Sequence, residues 1–251
     1  MASSSAPSVN ELDLDMVNTR LANADAERVL QWAARTFSDR LVMTSSFGAQ
    51  SAVMLHLANR IVPGIPVIFI DTGYLFPETY RFAEALTRRL ELNLHVYRPR
   101  ISGAWLEAVH GRLWEQGESG LARYHQIVKV EPMQRALKQL DAAAWVAGLR
   151  SEQTAHRAQL RRIERQDGRY KIHPILEWTT RNVHEYLKQH DLPYHPLYEK
   201  GYVSIGDVHS TAPIGSDQHE RAGRFGGLRQ ECGLHIPQSA EEGQSRDSSG
   251  L

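Results

Sequence analysis

The amino-acid sequence predicts an α/β fold, a mostly parallel twisted sheet with helices on both faces. Short apolar runs alternate with segments of helical periodicity along the middle of the chain, and strands joined through helices make right-handed crossovers into a parallel sheet. Glycine- and hydroxyl-rich turns follow directly on the first two apolar runs, where open α/β sheets bind their ligands. The 251 residues, 41% hydrophobic and 23% charged, suffice for a sizeable core.

In chain order, residues 40–45 read as a buried strand, and residues 49–59 as a helix with Ala52, Leu55 and Ala58 on one face. Residues 66–71 form a stronger strand, closed by Thr72-Gly73. Pro77 suits the first turn of a helix running to about Leu90. Residues 94–97 and 144–148 are a third and a fourth strand, the latter after a helix near 132–140, and residues 181–190 make a late helix. The domain is expected over 16–215, between a flexible N-terminal segment (1–15) and a mobile C-terminal tail (216–251). Both ends are polar, Ser-rich or aperiodic.

Lys plus Arg and Asp plus Glu balance at 29 each. That argues against a general nucleic-acid binder and leaves room for a local cationic pocket. No apolar run approaches the ~18 residues a membrane span needs, and the first residues have neither a basic start nor an apolar block, so no signal peptide is expected. Cys232 is the only cysteine, so one chain can build neither a disulfide nor a multi-thiolate zinc or iron–sulfur site. The twelve histidines contain no His-x-x-x-His pair, and no metal is expected. The reading is a cytoplasmic enzyme of a reducing compartment.

Two loops and a set of cations are candidates for chemistry. Ser45, Ser46, Gly48 and Ser51, between a strand and a helix, supply hydroxyls and helix-start N–H groups suited to an anion; the same pattern also reads as an ordinary Ser cap with a turn glycine. Asp71 can accept hydrogen bonds from a ribose or a purine amine, and Gly73 permits close approach; Asp71 also reads as a turn former. Several arginines between 150 and 170 read as a solvated face, whereas Arg221 and Arg224 stand three apart just before the thiol. A lone cysteine is ordinarily a small buried hydrophobe, but Cys232 is flanked by charged residues and glycine. Arg229 would lower its pKa and Glu231 would raise it.

Together these segments resemble the phosphoadenylyl-sulfate (PAPS) reductase family, thioredoxin-dependent enzymes of assimilatory sulfate reduction. The resemblance rests on Ser45-Ser46-Phe47-Gly48, residues 71–79 from Asp71-Thr72-Gly73 onward, Lys129-Val130-Glu131-Pro132, Gly148-Leu149-Arg150, Tyr194-His195-Pro196-Leu197, residues 201–207 ending in Gly206-Asp207, and Glu231-Cys232-Gly233-Leu234-His235. It implies an adenine-nucleotide α-hydrolase-like fold with a modified pyrophosphate loop, and a homodimer. It implies Cys232 as the nucleophile, and Ser45, Ser46, Phe47, Gly48, Ser51, Asp71, Thr72, Gly73, Lys129, Arg150, Gly206, Asp207, Arg221 and Arg224 as substrate-binding residues. Glu231 and His235 would support the tail. Lys129, Arg221 and Arg224 would surround the phosphosulfate, and an external thioredoxin or glutaredoxin would supply electrons.

Two departures refine the resemblance. ATP-cleaving relatives carry Ser-Gly-Gly-x-Asp-Ser where this chain has Ser46-Phe47-Gly48-Ala49-Gln50-Ser51, so the acid that helps hold magnesium is missing. Cluster-containing adenylyl-sulfate (APS) reductases carry a cysteine pair where this chain has Tyr124-His125. No iron–sulfur cluster is expected, which favours the 3′-phosphorylated substrate. The alternatives are a cluster-free APS reductase, an ATP-using nucleotidyl transferase, and a non-catalytic nucleotide-binding module.

Overall fold

The computed structural model describes residues 11–215 together with Gly223 and Arg224. Among these residues six strands form one sheet in the order β3-β2-β1-β4-β6-β5. The strands are β1 (Leu41–Thr44), β2 (Pro66–Ile70), β3 (Asn93–Tyr97), β4 (Ala144–Val146), β5 (Ile163–Gln166) and β6 (Arg169–Ile172). Every pairing is parallel except the β5–β6 hairpin. This is the mostly parallel α/β sheet read from the apolar runs.

Alternation along the strands builds two cores. Leu41 and Met43 of β1, Val67 and Phe69 of β2, and Ala144 and Val146 of β4 face one side. There they meet α2 (Ala26–Phe37), α3 (Ala52–Ile61), α4 (Pro77–Leu90) and α8 (Thr180–Gln189). Val42, Ile68 and Trp145 point the other way, onto Met133, Ala136 and Leu137 of α7 (Glu131–Gln139). Successive residues of a strand address opposite faces, so strands covered on both sides read as continuous apolar runs rather than alternating ones.

The differences from expectation have local causes. The helix after β1 starts at Ala52, because Gln50 and Ser51 are still in a turn. A first helix, α1 (Leu14–Leu21), begins inside the segment read as flexible, capped by the Asp13 carboxylate, which accepts from Asp15 N and Met16 N. The β5–β6 hairpin turns at Asp167-Gly168, both at positive φ (50° and 79°), the Asp-Gly signal of a two-residue hairpin. Of the arginines between 150 and 170, Arg161 and Arg165 are exposed, as a solvated face requires, whereas Arg150, Arg157 and Arg162 are buried. Between β3 and β4, α5 (Gly103–His110) and α6 (Gly117–His125) bury Leu106, Leu121 and Tyr124 in a satellite cluster. A π-helical stretch, Gln126–Val130, joins α6 to α7 and buries Lys129. Such wide turns are rare and recur at functional sites. No helix among the described residues is long and apolar enough to cross a membrane.

Candidate active site

Strand order reverses direction at β1, whose neighbours β2 and β4 lead to opposite edges. A crevice beyond the carboxyl ends is the expected consequence. A cavity of about 270 Å³ opens there, lined by residues that follow β1 (Ser45 to Ser51), β2 (Thr72) and β4 (Gly148 to Arg150), with Lys129, Arg157, Gly206, Asp207 and Arg224. The structure thus brings together ten of the residues read from sequence: Ser45, Ser46, Gly48, Ser51, Thr72, Lys129, Arg150, Gly206, Asp207 and Arg224.

The loop after β1 is anchored by the residue that does not reach the cavity. Phe47 is fully buried, its ring edge-on to Phe69 at 4.9 Å, and its φ is +48°, an uncommon conformation for a bulky side chain. Its N–H donates to Ser45 Oγ at 3.1 Å. Phe47 therefore belongs to the core and not to the substrate wall, a correction to the sequence reading. With the ring as anchor, the backbone turns so that Ser45, Ser46 and Gly48 face the cavity. Ser51 makes no side-chain cap. Its buried Oγ has no hydrogen-bond partner among the described residues, and it lies in the cavity wall, where a ligand oxygen would satisfy it.

Asp71 is held by protein groups. Its carboxylate accepts from Arg98 Nε at 2.7 Å, Tyr80 Oη at 2.7 Å and Gly73 N at 3.0 Å. Burial alone would raise its pKa; Arg98, Tyr80 and the Gly73 N–H outweigh it and hold the carboxyl below its usual range. Neither Asp71 nor Gly73 lines the cavity. Gly73, at φ +81°, closes the Asp71 turn.

The acid in the cavity wall is Asp207. It is fully buried and accepts from Lys129 Nζ at 2.5 Å and from Thr72 Oγ1 at 2.6 Å. Burial would push its pKa up, but the Lys129 ammonium and the Thr72 hydroxyl bring it down to about 2. A carboxylate does not bind an anion directly. Asp207 holds Lys129, and the carrier of positive charge at the wall is Lys129. The two terminal nitrogens of the Arg224 guanidinium occupy the space a Cβ on Gly206 would fill, and residue 224 bridges to Thr211.

Two further cations, Arg150 and Arg157, line the same cavity. Arg150 donates through Nη2 to Gln50 Oε1 at 3.0 Å and pairs with Glu152. Gln50 orients an arginine where the ATP-cleaving pattern would have a carboxylate. Arg157, which the sequence did not mark as a site residue, lines the cavity and bonds Gln153. Its one legible signal was the change from apolar strand to dense arginine directly after Gly148. Arg221, Cys232, Glu231 and His235 lie outside the described residues. Among the described residues no cluster of three or more His, Cys, Asp or Glu side chains could hold a metal ion.

A match to the phosphoadenosine phosphosulfate reductase domain spans residues 40–213. The chain belongs to that family. It is 56% identical to a phosphoadenosine 5′-phosphosulfate reductase of Synechocystis sp., over 97% of this chain and 98% of the relative. It is also 56% identical to one from Xylella fastidiosa, over 89% and 94%. Among solved structures, the phosphate complex of a phosphoadenylyl-sulfate reductase from Candida auris superimposes with a TM-score of 0.71 at 34% identity, covering 80% of this chain and 98% of that one. An FMN adenylyltransferase of Candida glabrata, at 19% identity and a TM-score of 0.59 over 83% of this chain and 69% of that one, shares the fold alone. The family fold is thus the adenine-nucleotide α-hydrolase-like one with a modified pyrophosphate loop.

Three buried or half-buried histidines outside the cavity wall set a pH dependence. His195 N donates to Ala49 O at 3.0 Å, and its ring bridges Thr79 Oγ1 at 3.1 Å and Leu197 N at 3.1 Å, tying the loop after β1 to residues 194–197. Burial lowers its pKa to about 4, that of His209 to about 4 and that of His173 to about 3. Unfolded histidines titrate near 6.5, so below that pH the unfolded chain binds protons the folded chain refuses. Stability is complete above pH ~6.5 and declines as pH falls toward 4. The urea midpoint should therefore drop from pH 7 to pH 5; a midpoint flat across that interval would contradict the burial of these rings.

Proposed function

We propose that this chain reduces 3′-phosphoadenylyl sulfate to sulfite and adenosine 3′,5′-bisphosphate, in assimilatory sulfate reduction. The observation that carries this reading is the placement of four buried cations, Lys129, Arg150, Arg157 and Arg224, around one cavity of a chain with no net charge. Asp207 is the one acid among the described lining residues, and it is engaged with Lys129. Concentrated cation in a low-dielectric crevice selects a polyanion. Four cations suit a nucleotide carrying anionic charge at both its phosphosulfate and its 3′-phosphate, and Met54, Ile70 and Leu149 in the same wall give a purine an apolar surface.

In the proposed cycle the Cys232 thiolate attacks the sulfur of the phosphosulfate. The S–O bond to the nucleotide phosphate breaks, leaving a Cys232 S-sulfonate and adenosine 3′,5′-bisphosphate. Lys129, with Arg221 and Arg224, would stabilise charge as it develops on the leaving phosphate. A thioredoxin or glutaredoxin thiolate then attacks the Cys232 sulfur and expels sulfite. Its second thiol resolves the mixed disulfide, so the dithiol gives up two electrons and Cys232 returns as thiolate. No metal or bound cofactor enters this scheme. It suits a reducing, cytoplasmic setting, with a homodimer as the assembly the family resemblance implies.

The test is sulfite release from PAPS and from APS, side by side, with thioredoxin and its reductase. The expected kcat/KM is at least about 100-fold higher for PAPS, the scale of one lost charged hydrogen bond in a site built for it. Equal rates would make this a cluster-free APS reductase. Magnesium-dependent pyrophosphate release from ATP, without sulfite from either nucleotide, would make it a transferase.

A further inference from the structure

His195 is a buried histidine whose two ring nitrogens both have partners. Leu197 N donates to Nδ1 at 3.1 Å, and Nε2 stands 3.1 Å from Thr79 Oγ1. Phe82 lies edge-on to the imidazole, with centroids 5.1 Å apart. Thr79 and Phe82 are three residues apart on α4, so one helix face holds the ring through both contacts. The backbone is engaged as well: His195 N donates to Ala49 O at 3.0 Å, and Tyr198 N donates to His195 O at 2.8 Å. Thr79 is 1% exposed and lines the cavity beside Thr72 and Leu75.

These contacts fix where the protons are. Nδ1 accepts from a backbone N–H, so it carries a lone pair, and the proton of the neutral imidazole is on Nε2. Burial keeps the ring neutral at pH 7, with its pKa lowered to about 4. Nε2–H therefore donates to Thr79 Oγ1, and Thr79 cannot spend its own hydrogen on the imidazole. That contact is the one side-chain hydrogen bond of Thr79 among the described residues, so the hydroxyl hydrogen is left for an acceptor in the cavity. A hydroxyl that accepts from an N–H is polarised into a better donor, and anionic oxygens are the acceptors that bind such a donor most strongly. Thr72, in the same wall, differs: its hydroxyl is committed to Asp207.

We propose that Thr79 is a further substrate-binding residue, whose hydroxyl donates to an oxygen of the bound nucleotide, and that His195 is its positioning residue, directing that hydrogen by filling one of the Oγ1 lone pairs. The proposal rests on the reading of the cavity as the nucleotide site. It differs from plain packing in needing the Thr79 hydroxyl and the Nε2 donor rather than the volume of either side chain.

The experiment uses the full chain and follows melting temperature, the Kd for adenosine 3′,5′-bisphosphate, and kcat and KM with PAPS and thioredoxin. Thr79→Val keeps the β-branch and removes the hydroxyl. It should raise both Kd and KM about 10-fold, the scale of one hydrogen bond to a charged group. Its kcat should stay within about twofold, because substrate and transition state lose the bond alike. Thr79→Ser, which restores the hydroxyl, should bind within about threefold of the parent. In a His195→Phe background, which keeps a ring against Phe82, Thr79→Val should cost less than about threefold. A Val variant that melts lower yet binds like the parent, or Ser and Val variants that bind alike, would overturn the proposal while leaving the reductase reading intact. Equal costs in both backgrounds would overturn the role of His195. If Thr79→Val does not fold, nitrogen NMR of the parent at pH 7 decides the matter. The His195 ring, assigned against His195→Phe, should carry its proton on Nε2, and that signal should move on adding adenosine 3′,5′-bisphosphate; a proton on Nδ1, or an unmoved signal, would overturn the proposal. A folded parent that binds no adenosine 3′,5′-bisphosphate would instead remove the functional reading, and this proposal with it.

Discussion

Cys232→Ser is expected to bind adenosine 3′,5′-bisphosphate as the parent does and to release no sulfite. The thiolate is the only soft nucleophile this chain can offer, since Cys232 is its single cysteine and thiolates, not hydroxyls, attack sulfur readily at neutral pH. A serine in its place keeps the size and removes the chemistry, so sulfite release should fall by at least about 10³-fold. The binding prediction follows from the described cations of the cavity, Lys129, Arg150, Arg157 and Arg224, which the substitution leaves in place. Mass spectrometry separates the half-reactions: parent protein treated with PAPS and no thioredoxin should gain about 80 Da, the mass of a transferred SO₃ group, and the Ser variant should gain nothing. Adding reduced thioredoxin should remove the adduct and yield sulfite in equal amount. An unmodified parent that still releases sulfite, or a Ser variant with near-parental turnover, excludes the covalent cycle.

The ends of the strands were legible and the electrostatic partners were not. Val67 to Ile70 and Ala144 to Val146 are apolar without interruption because helices cover both faces, and that pattern marks a parallel sheet from sequence alone. Its switch-point rule then points at the loops after β1, β2 and β4. Asp207, by contrast, lies 78 residues from Lys129 and 135 from Thr72, and no local pattern announces such pairs. Asp71 shows the converse. It stands at a strand end, where a ligand-binding acid belongs, but Arg98 and Tyr80 arrive from elsewhere in the fold and occupy its oxygens. Phe47 sits in a loop motif and is nevertheless core, because a turn at positive φ can send its ring inward. The Asp167-Gly168 turn carries a local hairpin signal, but the arginines around it read as exposure and hide the two short strands it joins.

Lys129→Ala should separate activity from stability in a way only a buried pair explains. In kcat/KM we expect a loss of about 2–4 kcal/mol, on the order of 30- to 1000-fold, if the ammonium meets charge developing in the transition state. Folding should suffer as well, by about 3–5 kcal/mol at neutral pH, because Asp207 is left buried without its cation. In the parent, Asp207 has its pKa at about 2, below the unfolded value, so its stabilising contribution is present above pH ~4 and is lost as pH falls through 2. In the variant, burial raises the Asp207 pKa above the unfolded value, so the folded state takes up a proton more readily and the stability gap between variant and parent should narrow on going from pH 7 to pH 5. Urea titrations at the two pH values measure that gap directly. Lys129→Met with Asp207→Leu removes both charges and should recover most of the lost stability while sulfite release stays at the Lys129→Ala level. Were the double variant as active as the parent, Lys129 would be only a counter-ion for Asp207; were the single variant as stable as the parent at pH 7, the buried pair would contribute nothing to the fold.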